Sequence, residues 1–426
     1  MKIFEYKNLS ESELKKILSR KVISLETMLP LVKYIFDKIK IDGDSALNEI
    51  SYEYDNSSRT DLKITEEELK NSANRIEKKL KAAIDMAYNN IYKFHELQKQ
   101  TEYRIEVQKG IECSRKTIAI ENVGLYIPGG TAVLFSTLLM LAIPAKIAGC
   151  KRIVVTSPIK KEISSALAYT ALKCGINEFY TVGGIQAIAM LSLGTQSIKI
   201  VDKIFGPGNQ YVTAAKVLLP LLGVNTMIDM PAGPSELLII ADNTANYEYV
   251  AADLLSQAEH GIDSQVILLS DNLEFAKLVS NEVKKQTELL PRKDLVNKCL
   301  ENSASIITEN LDHAINISNS YAPEHLIINT KINNILKEQV INAGSVFIGQ
   351  YSCESAGDYA SGTNHSLPTN GYAKAIGGVS VEMFKKNVTF QTLSKEGLKL
   401  IGESIIKMAE EETLIAHANA VKVRLK

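Results

Sequence analysis

The sequence predicts an α/β protein made of two parallel-sheet units with helical segments at both ends. Three observations carry this reading. From about Leu125, short β-branched runs at Arg152 to Thr156, Phe179 to Val182 and Ile198 to Ile204 alternate with helical stretches at Ile163 to Cys174 and Gln186 to Leu193, the pattern of strands joined by crossover helices. A second series repeats it. Strands are expected there at Leu237 to Ala241, Val266 to Ser270, Ala304 to Thr308 and Ser345 to Ile348, with helices at Tyr247 to Glu259 and Leu273 to Gln286. The flanks read as helical instead: Ser10 with Glu13 and Thr65 with Glu68 have capping-box spacing ahead of apolar residues at helical intervals, and Lys395 to Arg424 is amphipathic and rich in Lys and Glu.

At 426 residues the chain is long enough for more than one hydrophobic core, and two or three domains are expected. Lys and Arg number 48 against 49 Asp and Glu, so no basic field exists to gather nucleic acid or anionic lipid. A small-molecule partner is expected. Met1 to Lys16 carries charges throughout and has no signal-peptide core, which predicts a cytoplasmic protein. The longest apolar stretch, Leu134 to Ile147, is interrupted by Pro144 and Lys146 and is too short to span a bilayer; it reads as a buried helix. The cysteines Cys113, Cys150, Cys174, Cys299 and Cys353 form no CxxC pair, so they read as reduced packing residues.

Chemistry concentrates around four places. Gln257 and His260, three apart near a helix end closed by Gly261, share one face; they read as half a metal site or as a helix-capping histidine. The segment Glu354 to Gly371, dense in Gly, Ser, Thr and Asn, carries Asp358 and His365, and a polar loop of this length is functional or disordered. Asp358 there is a metal ligand or the head of an Asx turn. Glu324-His325 pairs an acid with an imidazole suited to general-base work, or opens a helix after Pro323. Gly206-Pro-Gly208-Asn209 follows a strand and opens a helix, a place for a nucleotide or a substrate, though it is not GxGxxG. Gly124 to Thr131 has P-loop-like glycines, but Gly130 stands where the lysine is required, which excludes Walker chemistry. His95 and His313 read as surface residues.

At these residues the sequence resembles the histidinol dehydrogenase family. The islands are VGLYIPGGTA (Val123 to Ala132), MLAIPAKIAGC (Met140 to Cys150), VDKIFGPGNQYVTAAK (Val201 to Lys216), IDMPAGPSE (Ile228 to Glu236), DLLSQAEHG (Asp253 to Gly261), APEHL (Ala322 to Leu326) and ESAGDYASGTNHSLPT (Glu354 to Thr369). The resemblance implies zinc held by Gln257, His260, Asp358 and His417, NAD contacts from Tyr126, Gln186 and Asn209, and substrate contacts from Ser235 and Glu412 as well as from His325 and the four zinc residues. It places His365 near the site and gives Glu324 and His325 the acid-base work. The implied reaction is the two-step oxidation of L-histidinol through the aldehyde to L-histidine, in a homodimer whose C-terminal tail crosses to the partner.

Gly261, Ser366, Asn370 and Thr413 depart from the family pattern without removing a named functional residue. The architecture expected is two incomplete Rossmann-like domains: 24–127 with 237–380 on the zinc side and 128–236 on the NAD side, flanked by a helical segment 1–23 and a helical tail 381–426. On one straight helix Glu412 and His417 stand about 140° apart, so both reach one site only if the helix breaks or they approach from two sides. A zinc hydrolase is the rival within enzymes, disfavoured by the tyrosine and asparagine turns that match the NAD site. A non-catalytic sensor of histidinol or histidine is the rival of another class, disfavoured by the intact Glu324-His325 pair.

Overall fold

The computed structural model describes residues 1–21, 24–59, 61–99, 102–129 and 134–426. Gly130 and Thr131, read above against the P-loop, lie outside the described residues, as does Ala132 at the end of the first family island.

Among the described residues the strands form three sheets. The first runs Lys2–Glu5, Ala304–Ile307, Gln265–Ser270, Glu236–Ala241, His325–Asn329, Ser345–Ile348, and every pairing in it is parallel. The second runs Lys63–Ile64, Glu178–Tyr180, Arg152–Thr156, Asn122–Tyr126, Lys203–Phe205, Met227–Ile228, parallel except for its first pair. Its central strands are buried on both faces, as parallel sheets require: the helices Leu25–Asp42 and Asp44–Asp55 cover one face and Lys78–Glu96 with Phe135–Ala148 the other. The last of these is the long apolar stretch, a helix buried on nearly all sides. No helix among the described residues is long and apolar enough to cross a membrane. The third sheet is an antiparallel ribbon of Lys385–Leu393, Ile111–Ala119 and Tyr103–Gln108.

The α/β class and its two parallel units match the expectation, and both capping boxes form. The domain division does not hold. The helices within 24–99 pack on 128–236 rather than on 237–380, and Asn122–Tyr126 pairs on one side with Arg152–Thr156 and on the other with Lys203–Phe205. Hydrogen bonding along both edges of one strand leaves no second sheet for it to belong to. The flanks are not purely helical either. Lys2–Glu5 extends the first sheet, and Lys385–Leu393 in the tail pairs with Ile111–Ala119. In place of the strand expected at Ile198 to Ile204, only Lys203–Phe205 pairs. Cys353 is exposed rather than a packing residue.

The tail beyond the ribbon forms two helices, Lys395–Glu411 and Ile415–Leu425. Thr413 between them has φ +61°, a left-handed turn that folds the second helix back. Lys422 on that helix pairs with Glu410 on the first at 2.6 Å.

Candidate active site

A cavity of about 390 Å³ lies between the two parallel sheets, within the size range of small-molecule sites. The second sheet presents the carboxyl ends of its strands to it: Pro128 follows Asn122–Tyr126, and Pro207 to Gln210 follow Lys203–Phe205. The first sheet presents the opposite ends. Ala232 to Ser235 enter Glu236–Ala241, and Glu324 and His325 open His325–Asn329. Gln210 donates to Asp263 at 2.8 Å and so links the loops of the two units.

His325 sits at the centre and is buried. Its Nδ1 lies 3.2 Å from the carbonyl oxygen of Glu236, which can only accept, and 3.2 Å from the amide nitrogen of Gln257, which can only donate, so the two neighbours favour opposite tautomers of the neutral ring. Its Nε2 is buried with no partner at hydrogen-bond distance; Asp358 Oδ1 is 3.7 Å away. Glu324 and Glu354 stand 3.6 and 3.8 Å from Nδ1. Burial pulls the imidazole down, but these three carboxylates outweigh it and hold His325 well above the ordinary histidine range. Glu324 is fixed by accepting the Glu236 N–H at 2.8 Å.

The donor atoms of His260, Glu354 and Asp358 lie within 4.8 Å of one another. Gln257 faces the same cavity; it lies in the last turn of the helix Tyr247–Ala258, and His260 follows just past that helix. Glu354 and Asp358 are four apart on the short helix Glu354–Tyr359 and share a face. Asp358 is therefore helical and not the head of an Asx turn. Glu324 precedes a strand, so the helix-start reading fails as well.

Oε1 of Gln257 and Oε1 of Glu354 are buried without a hydrogen-bond partner, a cost that a bound cation removes. An amide oxygen, an imidazole nitrogen and carboxylates form the N/O set that zinc accepts, so these residues fit a zinc ion. Burial pushes the Glu354 carboxyl up to about 8. Asp358 is also penalised by burial, but His325, His365 and His260 bring it below the ordinary carboxylate range.

His365 lines the cavity and is oriented by Thr137 Oγ1 at 3.1 Å and the Asp358 carbonyl at 2.8 Å. Ser235 and Asn209 also line it. Asn209 caps the helix Gln210–Val217 with its side-chain oxygen. Tyr126 and Gln186 lie elsewhere, buried near the first turn of the helix Gly184–Leu193. There Gly184 N–H donates to the Tyr126 hydroxyl at 3.3 Å, and the Gln186 amide donates to Asp55 at 3.0 Å.

Glu412 and His417 do not line the cavity; both are exposed beside the break in the tail. Sequence reading missed three participants: Glu354, Asp55 and His95. His95 is fully buried, not a surface residue; its Nε2 meets Asn364 of the polar loop at 3.2 Å. Its signal was available, since Ile84, Ala87, Ile91 and His95 fall on one buried helical face.

Residues 18–425 match the profile of the histidinol dehydrogenase family. The chain belongs to the histidinol dehydrogenase family. Family membership puts it among the NAD-dependent oxidoreductases. It is 51% identical over 426 residues to a histidinol dehydrogenase of Campylobacter jejuni and 48% identical over 427 residues to one of Bacteroides thetaiotaomicron, covering all of this chain and 99% of each relative. The crystal structure of histidinol dehydrogenase from Elizabethkingia anophelis superposes with a TM-score of 0.94 at 47% identity, over all of this chain and 98% of that one. The α/β architecture with Rossmann-like parallel sheets is thus shared by the family.

Proposed function

We propose that the cavity oxidises L-histidinol by way of L-histidinal to L-histidine, the last step of histidine biosynthesis, with zinc and NAD as cofactors. The observation that carries this reading is the meeting of a free, buried imidazole nitrogen on His325 with the donors of Gln257, His260 and Asp358 in one small-molecule cavity.

Gln257, His260 and Asp358 hold zinc, with the fourth ligand from His417 of the partner subunit. Zinc would supply a Lewis-acid anchor for the substrate and no redox chemistry. NAD when bound supplies the hydride acceptor, with Tyr126, Gln186 and Asn209 as its contacts. Ser235 and the partner subunit's Glu412 hold the rest of the substrate.

His325 takes the proton from the alcohol oxygen as the carbinol hydrogen leaves as hydride, and acts again in the second oxidation. Glu324 takes a proton from the water that adds to the aldehyde. Alcohol to acid removes four electrons, so each turnover would need two equivalents of NAD.

A homodimer is supported by the exposure of Glu412 and His417 away from their own cavity, and by apolar residues left exposed on the tail and ribbon, among them Leu400, Met408, Leu414, Ile415 and Phe390. Five cysteines with no disulfide among them support a cytoplasmic setting.

The test is NADH formation from L-histidinol with and without a chelator. Turnover that is lost on chelation and regained with zinc supports the reading. Undiminished turnover in metal-free protein, or none in zinc-loaded protein, overturns it.

A further inference from the structure

The backbone of Glu236, at the start of the strand Glu236–Ala241, touches both members of the acid-base pair. Its N–H donates to Glu324 at 2.8 Å. The carbonyl of the same residue faces His325 Nδ1 at 3.2 Å. Whatever fixes Glu236 therefore fixes the separation and aim of Glu324 and His325.

The Glu236 side chain is buried, and its countercharge comes from the far N-terminus of the chain. Arg20 Nε and Nη2 donate to the two carboxylate oxygens at 2.7 and 2.8 Å, a bidentate pair. Nη2 also donates to the Tyr321 carbonyl at 2.9 Å, and the guanidinium lies 3.7 Å over the Tyr321 ring. The same carboxylate accepts the Asn370 N–H at 2.6 Å, which ties in the polar loop that carries His365.

The segment bearing Arg20 is itself clasped. Gln265 donates to the carbonyls of Ile17 and Ser19, both at 3.2 Å, and Tyr321 donates to Gln265 at 2.8 Å. Leu14, Ile17 and Leu18 pack on the core beneath.

We propose that Arg20 is a positioning residue for the reaction: through Glu236 it holds Glu324 and His325 in register. Removing the guanidinium leaves Glu236 buried without its ion pair, so the carboxylate protonates or swings, and the backbone it anchors moves. The proposal rests on the reading of Glu324 and His325 as the acid-base pair.

The experiment compares zinc-loaded wild type with Arg20→Ala, Arg20→Lys and Glu236→Gln. Arg20→Ala should lower kcat on both histidinol and histidinal by about 10- to 100-fold, the loss expected of misplacement by ~1 Å, with KM for NAD unchanged. Guanidinium added to Arg20→Ala should restore part of kcat. Arg20→Lys, which keeps the charge but loses the fork, should fall between.

In protein labelled with ¹⁵N-histidine, the Nδ1 resonance of His325 should shift in Arg20→Ala. This second readout does not depend on the substrate. A wild type inert on histidinol overturns the proposed function, while an unshifted resonance overturns the role of Arg20. Unchanged kcat per folded enzyme, with lowered stability alone, also makes Arg20 a structural residue and refutes the proposal.

Discussion

Replacing Lys216 by methionine tests how the turn Gly206 to Asn209, proposed to contact NAD, is held. Lys216 Nζ donates to the Gly206 carbonyl at 2.8 Å and to Asp229 Oδ1 at 2.5 Å, and both charged side chains are only 2% exposed. Asp229 also accepts from Gly206 N–H and Met230 N–H, each at 2.7 Å. The pair thus grips both polar groups of Gly206, the residue that begins Gly206 to Asn209. Gly206 has φ +124° and an added Cβ would meet the Tyr126 carbonyl oxygen at 2.1 Å, so the turn cannot be supported by a larger residue. Removing one partner of a buried pair leaves an uncompensated charge and costs about 3–5 kcal/mol. Lys216→Met should lose that much in urea unfolding followed by far-UV circular dichroism. Lys216→Met with Asp229→Asn should recover at least about 1 kcal/mol of it, since the stranded charge is gone while the amide oxygen still accepts an N–H. The double variant should also raise KM for NAD more than KM for histidinol. A single variant within about 1 kcal/mol of wild type, or a double variant no more stable than the single, refutes the reasoning.

Three further outcomes are expected. His325→Asn should keep histidinol binding and lose most of the rate of both oxidations, whereas Glu324→Gln should chiefly slow the aldehyde step; pre-steady-state kinetics with histidinal separates them, and equal losses on both substrates count against the division of labour. Burial pushes Asp253 up to about 7 from an ordinary value of 3.8, so its charging destabilises the fold progressively between those two pH values. Asp253→Asn should therefore gain melting temperature over wild type at pH 8 and much less near pH 4, and a pH-independent difference contradicts the assignment. Mixing inactive His417→Ala subunits with inactive His325→Ala subunits should restore about a quarter of wild-type activity after random exchange; zero activity despite demonstrated exchange defeats the shared site.

The fold was legible where pattern and physics agree locally. The buried strands Glu236–Ala241 and Gln265–Ser270 are continuous apolar runs bounded by polar residues, and Ser10 and Thr65 carry their capping partners three residues on. What escaped was long-range pairing. Nothing within Asn122–Tyr126 says which strands flank it, and Lys2–Glu5 finds its partner some 300 residues away at Ala304–Ile307. The site divides the same way. Gln257 with His260 was visible as a spacing, and Glu354 with Asp358 shares a helical face that was equally readable. The resemblance supplied the roles of Glu324 and His325, but the clasp from Arg20 to Glu236 joins residues 216 apart in the chain. No local motif encodes it.

The central claim is that one cavity carries out both oxidations without releasing the aldehyde. It is tested most directly by counting NADH formed per L-histidinol consumed in zinc-loaded enzyme, with an aldehyde trap present in solution. Two NADH per histidinol, L-histidine as product and nothing in the trap are the predicted results. One NADH per histidinol, with histidinal recovered in the trap, contradicts the account.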